Sequence, residues 1–181
     1  MSNDQLYIQR CLQLAALGSG QVSPNPLVGC VIEANGKIIG EGYHRKFGEA
    51  HAEVNAIHAV EDKSLLGRAT LYVNLEPCSH FGKTPPCTDL IISSGIRKVV
   101  IGMQDPFAGV NGSGIRKLRE AGIEVICTVL EVECLKLNKR FVCAHTRKRP
   151  FLILKWAQSS DGITGNGKER VQISNSLTKI I

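Results

Sequence analysis

Four residues whose types could do chemistry stand at short, suggestive spacings: His51 and Glu53, then Cys78 and Cys87. One imidazole and two thiolates suit zinc, and three protein ligands leave its fourth position open, as in catalytic rather than structural zinc sites. Zinc held there would bring the pKa of a bound water down towards about 7 and so supply a nucleophile at neutral pH. Glu53 lies two residues after His51, roughly 200° around a regular helix, so it reads as a proton carrier and not as a further ligand. Its expected work is to take the water's proton and pass it to the substrate. Each residue alone has a bland reading: a helix histidine, a helix glutamate, an inert core thiol. The joint pattern is what points to a metal. A closed, structural zinc would need a fourth ligand, for which His80 is the candidate.

His-x-Glu followed by Pro-Cys and a second Cys is the signature of zinc-dependent base deaminases, which normally keep two residues between the cysteines. Here eight intervene, and Cys78-Ser-His-Phe-Gly-Lys-Thr-Pro-Pro-Cys87 closely resembles the deaminase domain of the bifunctional riboflavin-biosynthesis deaminase/reductase family. Asn25-Pro-Leu-Val-Gly29, Gly48-Glu-Ala-His-Ala-Glu53 and Asp105-Pro106 resemble the same family. The resemblance implies a three-layer α/β/α, cytidine deaminase-like fold with a mixed sheet. It also implies one zinc per chain on His51, Cys78 and Cys87, catalysis by Glu53, and a substrate pocket containing Asn25, His44, His80, Lys83 and Asp105. The implied reaction is hydrolytic deamination of 2,5-diamino-6-ribosylamino-4(3H)-pyrimidinone 5′-phosphate to 5-amino-6-ribosylaminouracil 5′-phosphate and ammonia. Lys83, inside the insert, could supply a cation for the phosphate; alone it would be a surface lysine, as Asn25 alone would be a turn residue.

Two other readings stand beside this one. A deaminase of another nucleoside, nucleotide or tRNA base fits the zinc motif but not the long cysteine spacing. A zinc-stabilised nucleic-acid-binding module would use the basic end of the chain. The net charge of +6 is unevenly placed: residues 1–134 hold 12 Lys and Arg against 14 Asp and Glu, whereas residues 135–181 hold 10 against 2. That basic stretch has only Phe141, Phe151 and Trp156 to offer for base stacking, so it reads as a solvated helix end and linker, with no nucleic-acid partner. A homo-oligomer is allowed but not specified.

With 181 residues the chain can fill one domain core without disulfide staples. Seven cysteines, an odd number, suit a reducing compartment, and neither a signal peptide nor a membrane-length apolar run is visible. The expectation is a cytoplasmic protein with no membrane partner.

The elements that must position the motif can be read in order. Ser2-Asn-Asp-Gln5 starts a helix with a capping box, and Leu6, Cys11, Leu12, Leu14, Ala15 and Leu17 form its apolar face. Asn35-Gly36 makes a hairpin of Leu27–Ala34 and Lys37–Gly42. Helices are predicted over His51–Val60, Cys87–Ser94, Ile115–Ala121 and Val132–Ala144, and strands over Thr70–Leu75, Lys98–Met103 and Glu124–Thr128. Alternating strands and helices after the hairpin favour parallel strands covered by helices. His44 falls in the loop before the zinc helix, and His58 reads as packed or surface. Cys11, Cys30, Cys127, Cys134 and Cys143 read as buried thiols. A seam near His145–Pro150 divides a deaminase domain, residues 1–145, from residues 146–181, which read as a linker and the incomplete start of a reductase domain with a strand over Phe151–Trp156. NADPH is expected only for a protein with that domain complete.

Overall fold

A computed structural model describes residues 2–81, 85–107, 111–158, 160 and 162. The chain divides into two compact units, Met1–Pro150 and Phe151–Ile181. The first begins with α1 (Asn3–Ala16), where the Ser2 side chain accepts from Gln5 N–H and the Gln5 side chain from Ser2 N–H. This reciprocal pairing satisfies two of the free donors that any helix start exposes. Strands β1 (Gly29–Ala34) and β2 (Lys37–Tyr43) follow as a hairpin in which Asn35 and Gly36 both take positive φ, 55° and 78°. That is the backbone of a type I′ turn, whose twist matches the strands it joins.

Then come α2 (Ala52–Ala59), a 3₁₀ turn (Lys63–Arg68), β3 (Thr70–Leu75), α3 (Cys87–Ser93), β4 (Lys98–Met103), α4 (Ser113–Glu120), β5 (Glu124–Ile126), α5 (Glu131–Leu137) and α6 (Lys139–Arg147). The sheet order is β2-β1-β3-β4-β5. β1 is antiparallel to both its neighbours, while β3, β4 and β5 are parallel. It is the mixed sheet expected.

Alternation along the strands sorts the core into two layers. Cys30, Ile32, Leu71, Val73, Val99 and Ile101 face α2, α3 and α4, through residues such as Ala56, Ile91 and Leu118. Val31, Tyr72, Val100 and Met103 face α1 and α5, through Ile8, Cys11, Leu14 and Cys134. Residues one apart on a strand thus serve opposite layers, giving α/β/α. The approach of α2 to β2 is close: a Cβ at Gly42 would overlap Ala56 N and Ala52 O. The Asn55 side chain donates to Tyr43 O at 2.9 Å and holds α2 to the end of β2.

Four expectations need correction. Leu6 and Leu17 are 51% and 64% exposed, so the buried stripe of α1 is narrower than its apolar one. The helix predicted over Val132–Ala144 is two helices. They part at Asn138, whose side chain accepts from Leu27 N–H at 2.8 Å and donates to Leu27 O at 2.9 Å. Strand β5 stops at Ile126, and Thr128 has positive φ. In the second unit, Phe151–Gln158 carries no strand or helix. A single apolar segment has no ladder partner of its own, and without one strand pairing cannot begin. Among the described residues no helix is long and apolar enough to cross a membrane.

Candidate metal centre

His51 ends the loop before α2 as its N-cap, in extended backbone. Its side chain makes no capping bond and turns instead to the cysteines: Nδ1 lies 3.2 Å from Cys87 Sγ and 3.6 Å from Cys78 Sγ. Cys78 follows β3, and Cys87 is the first residue of α3. The α3 start closes over Cys78, with Cys87 N–H donating to its Sγ at 3.3 Å and Thr88 N–H to its carbonyl at 3.1 Å. Backbone donors at a helix start stabilise a thiolate.

The three ligand atoms lie within 4.8 Å of one another, the one such group among the described residues. The donor set fits zinc: one nitrogen, two sulfurs, and room for a fourth position. Cys78 is pushed down to about 4, first by its hydrogen bond with Cys87 and then by His51. Cys87 is pushed up by the same hydrogen bond and by burial. Cys78 is thus the readier thiolate. The Cys78 contact also raises the pKa of His51.

Glu53 is 3% exposed in the first turn of α2. Burial pushes its carboxyl above the usual range, and the Cys78 charge adds to the effect. A carboxyl with raised pKa beside a metal site suits proton transfer in both directions.

His51, Glu53 and Cys78 lie at a cleft of about 360 Å³, which Asn25, His44, His80 and Asp105 also line. Asn25 Nδ2 lies 3.1 Å from His44 Nε2, and His44 Nδ1 lies 3.1 Å from Ala50 O. Burial pushes the pKa of His44 down. Asp105 is buried, accepts from Phe107 N–H at 2.8 Å, and is raised by burial. His80 is exposed on the cleft wall and does not join the ligand group. Lys83 lies outside the described residues. His58 is exposed, and Cys127 is only half-buried, unlike the other four cysteines outside the ligand group.

Sequence reasoning missed two parts of this cleft. Phe141 and His145, one turn apart on α6, line it with their rings tilted against each other, centroids 4.4 Å apart; His145 also meets Phe107 edge-on at 5.1 Å. Their i, i+4 spacing was the available signal, obscured by placing a domain seam at His145. Glu76, at the end of β3, was visible only as part of Glu-Pro-Cys.

The zinc-binding region of cytidine and deoxycytidylate deaminases matches residues 1–103. The chain is 49% identical over 169 residues to the riboflavin biosynthesis protein RibD of Aquifex aeolicus, covering 91% of this chain and 47% of that protein. It is 49% identical over 138 residues to the diaminohydroxyphosphoribosylamino-pyrimidine deaminase of Buchnera aphidicola, covering 76% of this chain and 92% of the relative. The solved structure of Acinetobacter baumannii RibD superposes with a TM-score of 0.89 at 40% identity, over 97% of this chain and 49% of that one. The chain therefore spans about half the length of the RibD proteins it matches.

Proposed function

The chain belongs to the zinc-binding cytidine and deoxycytidylate deaminase family, on its diaminohydroxyphosphoribosylaminopyrimidine deaminase branch, and from that premise we propose that it deaminates 2,5-diamino-6-ribosylamino-4(3H)-pyrimidinone 5′-phosphate. The products are 5-amino-6-ribosylaminouracil 5′-phosphate and ammonia. The observation that carries this reading is the meeting of His51, Cys78 and Cys87 beside the buried carboxyl of Glu53 at the cleft. Zinc held by His51 Nδ1 and the two sulfurs supplies the acidity that lets water lose a proton near neutral pH.

Glu53 then accounts for the protons. Its carboxylate takes one from water as the water oxygen bonds to the ring carbon bearing the amino group. The same carboxyl delivers that proton to the neighbouring ring nitrogen. When the carbon–nitrogen bond breaks, the remaining water proton passes through Glu53 to the departing amine, which leaves as ammonia. Burial serves this cycle, because a carboxyl disfavoured as the anion gives its proton up less readily to bulk water than to a positioned base.

His44 orients the other end. With Nδ1–H donating to Ala50 O, Nε2 is an acceptor for the Asn25 amide, which leaves the Asn25 carbonyl oxygen free to receive a donor from the pyrimidine. Lys83 is assigned to the phosphate, and Asp105 and His80, which line the cleft, to the substrate pocket. Residues 1–145 form the deaminase domain, and residues 146–181 a linker and the beginning of a reductase domain, the part that would bring NADPH.

The test is ammonia release from this riboflavin intermediate, measured beside cytidine, deoxycytidylate and an adenosine-containing tRNA stem-loop. Turnover of the riboflavin intermediate alone supports the reading. Faster turnover of any of the others refutes it.

A further inference from the structure

Glu76 stands between β3 and the ligand Cys78 and is 3% exposed. A buried carboxylate is costly unless something answers its charge. Here the answer is entirely backbone. Oε2 accepts from Asp105 N–H at 3.1 Å and Gly112 N–H at 3.0 Å; Oε1 accepts from Gly114 N–H at 2.9 Å and Ile115 N–H at 3.3 Å. All four donors belong to the stretch that leaves β4 and enters α4. A second contact fixes the same stretch, because a Cβ at Gly114 would overlap the carbonyl of Pro77. Asp105 and the start of α4 are thus both held against the two residues that precede a metal ligand.

We propose that Glu76 is a positioning residue for the reaction: through the Asp105 backbone it sets where the Asp105 side chain stands relative to Cys78. The inference rests on the reading of Asp105 as a substrate contact. The four accepted N–H bonds use both oxygens of the carboxyl group, two to each. A glutamine offers one acceptor oxygen and turns an NH₂ donor towards two other donors. An aspartate is one methylene short and cannot span both Asp105 and the α4 start. A cap for α4 would need only Gly112, Gly114 and Ile115. The bond to Asp105 N–H serves the cleft.

Glu76→Gln, Asp105→Asn and the double variant test this in the full chain, with zinc content, thermal midpoint, KM, kcat and amide exchange read together. Glu76→Gln is expected to retain one zinc per chain, raise KM at least ten-fold with a smaller change in kcat, and expose the Asp105 amide to exchange while β4 amides stay protected. The double variant should be no worse in KM than Asp105→Asn, because both changes act through one residue. A zinc-loaded Glu76→Gln protein with a lowered midpoint and wild-type KM overturns the proposal, as do fully additive losses. If Glu76→Gln does not fold, Glu76→Asp carries the same test with the same outcomes. A wild-type chain that releases no ammonia from the riboflavin intermediate would refute the function proposed above, while exchange at the Asp105 amide would still decide whether Glu76 holds it.

Discussion

The Asn25 amide nitrogen lies 3.1 Å from Nε2 of His44, and with Nδ1 3.1 Å from Ala50 O both ring nitrogens are engaged. Only a neutral imidazole with its proton on Nδ1 can accept from Asn25 while donating to Ala50 O.

A pH dependence follows, and its sign can be worked out. Burial lowers the folded pKa of His44 below its ordinary value of about 6.5. Between the two values the unfolded chain binds the proton and the folded chain does not, so stability falls as pH falls. The contribution is complete above about 6.5 and declines until the folded pKa is passed. Thermal midpoints from pH 7.5 to 5 should therefore drop less steeply in His44→Gln than in the wild type. Parallel slopes would remove His44 from the account.

Glu53→Gln should keep the fold and the zinc, because it changes a proton carrier and not a ligand. Ammonia release should fall by at least about 100-fold, the lower range for loss of general acid–base catalysis. Zinc by atomic absorption and rate by an ammonia-coupled assay give the two halves. Near-native release from a zinc-loaded variant would rule out the proposed role.

Cys78→Ser and Cys87→Ser should each lose metal and thermal stability together, since binding free energy at such a site is also folding free energy. Wild-type protein stripped by a chelator should show the same lowered midpoint, and added zinc should restore it. Full zinc occupancy in either variant would dismiss that cysteine as a ligand.

Asn138→Ala should destabilise the protein by about 1 kcal/mol. It strips the half-buried Leu27 N–H of its partner, whereas Leu27 O keeps the Asn74 side chain at 3.0 Å. Asn74 also accepts from Gly29 N–H at 2.8 Å, so the two asparagines together hold the stretch that follows Asn25. Denaturant unfolding measures the cost. No change in midpoint would mean that water replaces the lost bonds.

What the sequence made legible was local. The capping box of Ser2 and Gln5, the Asn35-Gly36 turn and the bounds of β3 and β4 rest on neighbours a few residues apart. The grouping of His51, Cys78 and Cys87 was readable because each lies at an element boundary marked by a nearby Pro or by the start of an apolar helix. What was not legible depended on distant partners. Nothing around Asn138 announces a helix break, because its reason is the Leu27 peptide. Nothing in Glu-Pro-Cys says that Glu76 gathers amides from Asp105 to Ile115. The apolar look of Phe151–Trp156 suggested a strand, but strand formation needs an edge that sequence alone does not provide.

The pairing of Asn138 with Leu27 spans 111 residues, and it orders events during synthesis. A chain made N-terminus first at ~5–20 residues per second waits roughly 6–20 s between the two. His51, Cys78 and Cys87 have all been synthesised by residue 87, about fifty residues before the one that pins the loop following Asn25 and starts the helix bearing Phe141 and His145. On the ribosome, then, the residues of the cluster leave ahead of Phe141 and His145, and the wall of the cleft is the last part of it to be made.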